Sequence, residues 1–256
     1  MTVTDQVESL MKLSIVTATF NRAGTVRRAI DSLQSQTHEN YEHLVQDGGS
    51  TDGTLELIKA SSDERTCLIS EPDRGIYDAL NRAIARSTGD AIGLLHSDDF
   101  FASATVLEVV AEAFKNPAID AVYGDLHYVS KVNTSRVVRN WTSGAFTRKS
   151  LEQGWMPPHP ALFVRRACMN LPRAYDTSYS ISADYDFVLS CFSKPGFTAE
   201  YVPQVFVKMR VGGESNRSLG RIVKKSSEDY RALRANGVGG LRVLLRKNLR
   251  KIRQFV

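Results

Sequence analysis

Between Leu13 and Tyr123, short β-branched runs alternate with amphipathic stretches, and this alternation constrains the fold more than any other feature of the chain. Leu13 to Thr19, Leu-Ser-Ile-Val-Thr-Ala-Thr, reads as a buried strand. Thr25 to Gln36 follows, with Val26, Ala29, Ile30 and Leu33 on one helical stripe. The same alternation gives strands at Glu42–Gln46, Cys67–Ser70, Ala91–Leu95 and Ala121–Tyr123, and helices at Gly53–Ala60, Tyr77–Ser87 and Ala104–Lys115. Thr51 or Asp52 stands where it can cap the second helix. A parallel neighbour is reached only through a crossover, so strands alternating with helices of this length imply βαβ units and a doubly wound α/β sheet. Ligands bind such sheets at the carboxyl ends of the strands, near a reversal in strand order. The polar clusters of this chain fall in the loops after strands one to four, which points to a ligand site there.

After residue 125 the alternation stops. Residues 126–165 read as irregular strands and turns, with Trp141, Trp155 and Pro157-Pro158-His159-Pro160. A short helix resumes at 185–193 and a strand at Ala199–Val207, with no linker in between. One domain over 1–215 is therefore expected, followed by an extension over 216–256.

The net charge of +5 conceals a division. Residues 217–256 hold 12 of the 33 Lys and Arg residues, but only Glu228 and Asp229 of the 28 acidic ones. The remainder is acidic, which excludes a fold that binds nucleic acid through its own folded face. From Leu241 the apolar residues Leu241, Leu244, Leu245, Leu249, Ile252 and Phe255 form a helical stripe, with Arg242, Arg246, Lys247, Arg250, Lys251 and Arg253 on the other faces. A basic amphipathic helix over 238–256 suits an anionic membrane surface; the other reading is a helix packed on the domain with a solvated basic side.

Cys67, Cys168 and Cys191 are odd in number and lack CxxC spacing, which supports neither a disulfide framework nor a zinc site. Residues 1–12 carry Asp5 and Glu8 and do not read as a signal peptide, and no run approaches the roughly 18–20 apolar residues of a membrane span. A cytoplasmic chain, peripheral on the inner face of the membrane, is expected, and the Asn-x-Ser/Thr matches at Asn133, Asn140 and Asn216 are then fortuitous.

Four motifs carry candidate chemistry. Ser97-Asp98-Asp99 ends the fourth strand, and adjacent carboxylates repel unless a cation or donors neutralise them. Hard divalent cations take such oxygens together with phosphate oxygens and water. Otherwise one Asp caps the next helix and the other is solvated. Asp47-Gly48-Gly49-Ser50-Thr51-Asp52 is either a capped strand-to-helix turn or a loop that admits a ligand to its amides. In Glu71-Pro72-Asp73-Arg74-Gly75, Arg74 is either a surface residue or a contact to phosphate or base. In Ala183-Asp184-Tyr185-Asp186, Asp184 is either an N-cap or a general base for an attacking hydroxyl.

In this order the motifs resemble glycosyltransferase family 2, the inverting nucleotide-sugar enzymes of the GT-A fold. The resemblance runs from Leu13–Arg22 through Asp47–Thr54, Glu71–Asn81 and Thr88-Gly89-Asp90 to Ser97-Asp98-Asp99, and more weakly to about residue 215. The Ala-Asp-Tyr-Asp form is similar to the bacterial branch that builds surface polysaccharides and glycolipids. The resemblance implies a single GT-A domain, Rossmann-like with a doubly wound mixed sheet, over 1–215, with 13–125 binding the nucleotide sugar and 126–215 the acceptor. It implies that Thr17 and Thr19 line the nucleotide pocket, Asp47 faces the base and Arg74 lies near base or phosphate. Asp98 would hold ribose or donor sugar, Asp99 would ligate Mn2+ or Mg2+, and Asp184 would be the catalytic base. Gly213 and Ser215 belong to a Gly-rich segment that closes over the donor, and His159 matches a position with possible acceptor contact as well as a packing role. The implied partners are a nucleoside diphosphate sugar, commonly UDP-linked, and a saccharide or lipid-linked acceptor, with no nucleic acid. No Gln-x-x-Arg-Trp motif is present, which favours a single transfer over a processive polymerase. Other classes fit less well. A Rossmann dehydrogenase needs G-x-G-x-x-G where Asn21-Arg22-Ala23-Gly24 stands, and a sugar nucleotidyltransferase needs a Gly-rich basic loop there. An inactive homologue acting as a binding protein shares every motif.

Overall fold

The computed structural model describes residues 11–171, 173–211 and 219–252. Its strands are β1 (Leu13–Thr19), β2 (Tyr41–Asp47), β3 (Thr66–Ser70), β4 (Ala91–Leu94), β5 (Asp99–Phe101), β6 (Ala121–Val129), β7 (Val137–Trp141), β8 (Leu162–Arg165) and β9 (Ala199–Arg210). Its helices are α1 (Val26–Gln34), α2 (Thr54–Ser61), α3 (Ile76–Ala85), α4 (Val106–Ala113), α5 (Arg148–Glu152), α6 (Ala183–Phe192), α7 (Leu219–Ala235) and α8 (Leu241–Ile252). One mixed sheet runs β3-β2-β1-β4-β8-β6-β9-β5, with β7 paired to β6. β1 to β4 pair in parallel, as the alternation requires.

The central strand β1 is buried throughout. Its pleat sends Leu13 and Ile15 to a core shared with Ala29 and Leu33 of α1 and with α4. Val16 and Ala18 face the opposite core, among Leu80, Ala83 and Ile84 of α3 and Phe187 and Val188 of α6. A large apolar side chain contributes about 1.5–3 kcal/mol on burial, so a strand with apolar residues on both faces is stable only with a layer on each. Asp52 accepts a hydrogen bond from the Thr54 amide at the start of α2 at 3.1 Å, while Gly53 occupies the cap position itself.

Four strands differ from the sequence reading. β6 extends to Val129 rather than Tyr123, and β5, β7 and β8 arise in segments read as loop or irregular. β5 and β8 are short and acquire partners from distant sequence, β5 from β9 and β8 from β4 and β6, while β7 forms by pairing back onto β6. Local pattern carries no signal for such pairing. The extension is helical, and Ala232, Leu233, Val238, Val243 and Leu244 belong to the same core as Val16 and Phe187, so α7 and α8 are packed onto the domain, as in the second of the two readings of 238–256.

Thr88-Gly89-Asp90 lies at the amino ends of the strands. Gly89 packs against β1, where a Cβ would stand 2.6 Å from Ser14 Oγ. Glu42 closes the same end, accepting from Ser14 Oγ, the Thr88 amide and hydroxyl, and Lys12 Nζ. Burial alone would raise its pKa, but these donors outweigh it and hold the carboxyl at about 2.

Candidate active site

The topology gathers the chemistry at the other edge. From β1 the chain winds out to β2 and β3, then returns to β4 on the far side of β1, and the strand order reverses there. β6 and β9 point the same way as β4, because two antiparallel steps through β8 restore the direction and β9 is parallel to β6. β8 and β5 run oppositely and start at that edge. Thr19, Asp47, the 96–99 turn, His159 before β8, and Arg210 at the end of β9 therefore converge.

At the β1–β2 corner the loops are fastened to each other. Asn21, with φ +52, accepts from the Thr51 amide at 2.9 Å and donates its own amide to Ser50 Oγ at 2.8 Å. Asp47 is fully buried and accepts from the Gly49 amide (2.9 Å), the Ser50 amide (2.8 Å), Ser50 Oγ (2.5 Å) and Ser70 Oγ (2.7 Å). This corrects the expectation that Asp47 faces a base: its own loop occupies both oxygens. Thr17 is corrected likewise. It lies two residues, roughly 7 Å, below Thr19 on the strand, and its hydroxyl is engaged with His43 Nε2 (2.9 Å) and the Leu95 carbonyl (2.7 Å). The Thr19 hydroxyl, in contrast, is buried with no partner among the described residues. Gly48 lets Asp73 and the exposed Phe20 close onto this corner, since a Cβ there would meet Asp73 Oδ2 at 2.6 Å and the Phe20 ring at 3.4 Å. Asp73 is thus a polar group held close against the corner. Arg74 extends into solvent, its side chain 87% exposed, 4.0 Å from Asp78.

Asp98 and Asp99 turn the chain from β4 into β5. Asp99 is 1% exposed, and among the described residues neither of its oxygens makes a hydrogen bond of regular geometry, although the Arg210 backbone amide lies close enough to act on it. Burial, and then the charge of Asp98, push its carboxyl well above the usual range, against Arg210. Arg210, which the sequence reading missed, donates from Nη1 to the Asp98 carbonyl at 2.5 Å. Its only signal in sequence is its place just before Gly212-Gly213. Among the described residues no three His, Cys, Asp or Glu side chains form a cation cage. A buried carboxylate without partners nevertheless fits a hard cation completed by substrate oxygens and water.

Ser182 takes the cap position of α6, and Asp184 stands in the first turn, partly exposed, accepting from the Tyr185 amide at 2.8 Å. Its charge is felt by His96, His159, Tyr77, Tyr128 and Tyr175. Tyr128 also feels Asp99, and His96 also feels Asp98, so the paired carboxylates and Asp184 lie near the same side chains. Tyr128, Met209 and Asp99 are successive partners across β6, β9 and β5. His159 is buried, with Nε2 2.9 Å from the Tyr175 hydroxyl and its ring edge-on to Phe187. Burial lowers its pKa to about 4, against the pull of Asp184, so the ring is neutral at pH 7. It supports the site from beneath, in the packing reading rather than the acceptor one. Sequence gave no signal for His96 or Tyr128. Gly213 and Ser215 lie outside the described residues.

The mixed sheet carries a carboxylate pair at its switch point with a third carboxylate near the same side chains, and comparisons with known proteins show the family. The family model for "Glycosyl transferase family 2" matches residues 14–171. A "PGL/p-HBAD biosynthesis glycosyltransferase" of Mycobacterium tuberculosis is 32% identical over 208 residues, which is 79% of this chain and 78% of the relative. The chain belongs to glycosyltransferase family 2, and it is a glycosyltransferase with the GT-A fold. The chondroitin synthase of Pasteurella multocida is 29% identical over 69% of this chain, which spans only 18% of that protein. Among solved structures, S. aureus TarS 1–349 in complex with UDP-GlcNAc has a TM-score of 0.70 at 16% identity, covering 89% of this chain and just under two thirds, 66%, of that one. Glucosyl-3-phosphoglycerate synthase of Mycobacterium tuberculosis, in complex with Mn2+, UDP and its product, has a TM-score of 0.59 at 19% identity, with 88% and 80% covered. Among the described residues no helix is long and apolar enough to cross a membrane.

Proposed function

We propose that the chain is a divalent-metal-dependent, inverting glycosyltransferase that moves one sugar from a nucleoside diphosphate sugar, UDP-linked, to a hydroxyl of a saccharide or lipid-linked acceptor in cell-surface polysaccharide or glycolipid synthesis. The observation that carries this reading is Asp99, a buried carboxylate with no regular hydrogen bond among the described residues, whose charge and that of Asp184 both act on Tyr128. Asp99, with Asp98 beside it, would hold Mn2+ or Mg2+, which when bound would offset negative charge on the diphosphate. Arg210 adds a fixed positive charge to the same corner. The Asn21–Ser50 and Asp47 hydrogen bonds keep the corner loops rigid, and Thr19 and Asp73 meet the nucleoside. Arg74, free in solvent, swings toward the donor, and Gly213 and Ser215 close over it. Asp184 accepts the proton of the acceptor hydroxyl as that oxygen attacks the anomeric carbon opposite the diphosphate. One displacement inverts the configuration, so an α-linked donor gives a β-linked product. His96 and His159, neutral beside Asp184, do not compete for that proton at pH 7. The donor is tested by thermal unfolding with Mn2+ across UDP-, GDP- and dTDP-sugars. A bound donor at 100 times its Kd stabilises by about 2.7 kcal/mol. A UDP-sugar is expected to raise the midpoint most, and protection by another base in its place defeats the UDP assignment.

α8 divides its basic amphipathic surface. Val243 and Leu244 face the core, and Lys247, 3% exposed, pairs with Asp229 at 2.7 Å. Leu241, Leu245 and Leu249 are 62%, 54% and 62% exposed, next to exposed Arg242 and Arg246. This narrower face is the one that meets an anionic membrane and brings the site to a lipid-linked acceptor. Deleting 238–256 would strip Val243 and Leu244 from the core, so the test is a surface change. Leu245→Glu with Arg246→Glu is expected to lower partition onto phosphatidylglycerol vesicles at least about tenfold, since each basic residue contributes about 1 kcal/mol. Unchanged partition removes the membrane role.

A further inference from the structure

The helix bearing Asp184 is held at its start from outside. Ser182 occupies the cap position, but its side chain makes no capping bond and reaches instead toward the Lys225 carbonyl at 3.4 Å. The segment that leads into the helix is held by Glu228 on α7. Its Oε2 accepts from the backbone amides of Ile181 (2.8 Å) and Ser182 (3.0 Å), and its Oε1 accepts from the Ser180 amide (3.1 Å) and hydroxyl (2.8 Å). One buried carboxylate thus gathers three successive amides immediately before α6, where a helix favours negative charge.

The surrounding contacts fasten the same segment. The Arg231 cation lies 3.8 Å over the Tyr179 ring, and Asn236 Nδ2 donates to Asp186 Oδ1 at 2.8 Å. Lys247, paired with Asp229, sits 3.1 Å over the ring of Tyr185, the neighbour of Asp184. From the opposite side the Tyr77 hydroxyl donates to the Ile181 carbonyl at 2.6 Å. An ordinary N-cap is local and fixes only its own helix. Here the chain entering the helix is held from a remote element, so the docking of α7 bears on where the first turn of α6 stands, and Asp184 with it. Displacement of a reacting group by 1 Å can cost about 10²-fold in rate.

We propose that Glu228 is a positioning residue for Asp184, which makes the α7–α8 pair part of the catalytic apparatus. The inference rests on the assignment of Asp184 as the base. Glu228→Gln keeps the shape but turns one acceptor into an NH2 that faces backbone amides, and Glu228→Ala removes both acceptors. In the full chain, kcat is expected to fall at least tenfold in E228Q and further in E228A, while the KM for the donor sugar and the thermal shift induced by UDP with Mn2+ stay within twofold of the parent. A contact that merely supports the fold would move turnover and donor affinity together. Turnover within twofold of the parent, or donor affinity lost in step with turnover, overturns the role. Should E228A fail to fold, E228Q decides. Asp184→Asn measured alongside separates the two assignments. Normal turnover in D184N defeats the base assignment itself, whereas an inactive D184N beside a fully active E228Q defeats only the positioning role.

Discussion

Asp184→Asn is expected to reduce kcat by at least about 100-fold while leaving donor affinity unchanged, because a positioned general base contributes roughly 10²–10⁴-fold. The substitution is conservative in shape, and an Asn oxygen at the same position still accepts from the Tyr185 amide. What it removes is the capacity to take a proton. Asp184 lies in the first turn of α6 with Ser182 as the cap residue, so the helix does not depend on the Asp184 charge. The comparison is steady-state turnover against titration with the donor sugar. A variant that retains activity within a few-fold of the parent excludes Asp184 as the base.

Asp99→Ala is expected to leave the fold intact and to abolish the metal-dependent part of UDP binding. Most carboxylates buried this deeply are held by donors, as Asp47 is by four. Among the described residues Asp99 makes no regular hydrogen bond and feels only the Arg210 charge and backbone amide, so truncation leaves at most that amide without its acceptor. Burying an unpaired carboxylate costs free energy, so the unliganded variant should unfold at or above the parental temperature. The thermal shift produced by UDP with Mn2+ should fall to the shift produced by UDP alone, corresponding to at least about tenfold weaker binding, or ~1.4 kcal/mol. A full metal-dependent shift in the variant would assign the cation to other ligands.

The parallel half of the sheet was legible from residues 13–95 because the central strands β1 and β4 are buried on both faces and α1 and α3 carry clear apolar stripes. The signals are local, and the predicted and observed elements differ there by a residue or two at their ends. The 126–171 segment was not legible, since β7 and β8 become strands only through β6 and β4. The site divided in the same way. Asp98, Asp99 and Asp184 were visible as motifs at strand and helix starts. Yet Asp47 stood in an equally suggestive motif and proved to be the staple of its own loop. Residue type and spacing do not record which way a carboxylate turns or how many amides reach it.

The extension shows the same limit. Its charge and its stripe of leucines were plain in the sequence, and α8 forms there. That Lys247 would be buried against Tyr185, and that Glu228 would hold the segment leading into a distant helix, depended on packing that brings α7 and α8 against α6. The sequence alone determined the α/β class, the family and the acidic core with its basic extension, because periodicity, motif order and charge are properties of the chain. Only the tertiary structure decided which carboxylates are spent on the fold and which are left for chemistry, because hydrogen-bond satisfaction is settled by neighbours far apart in sequence.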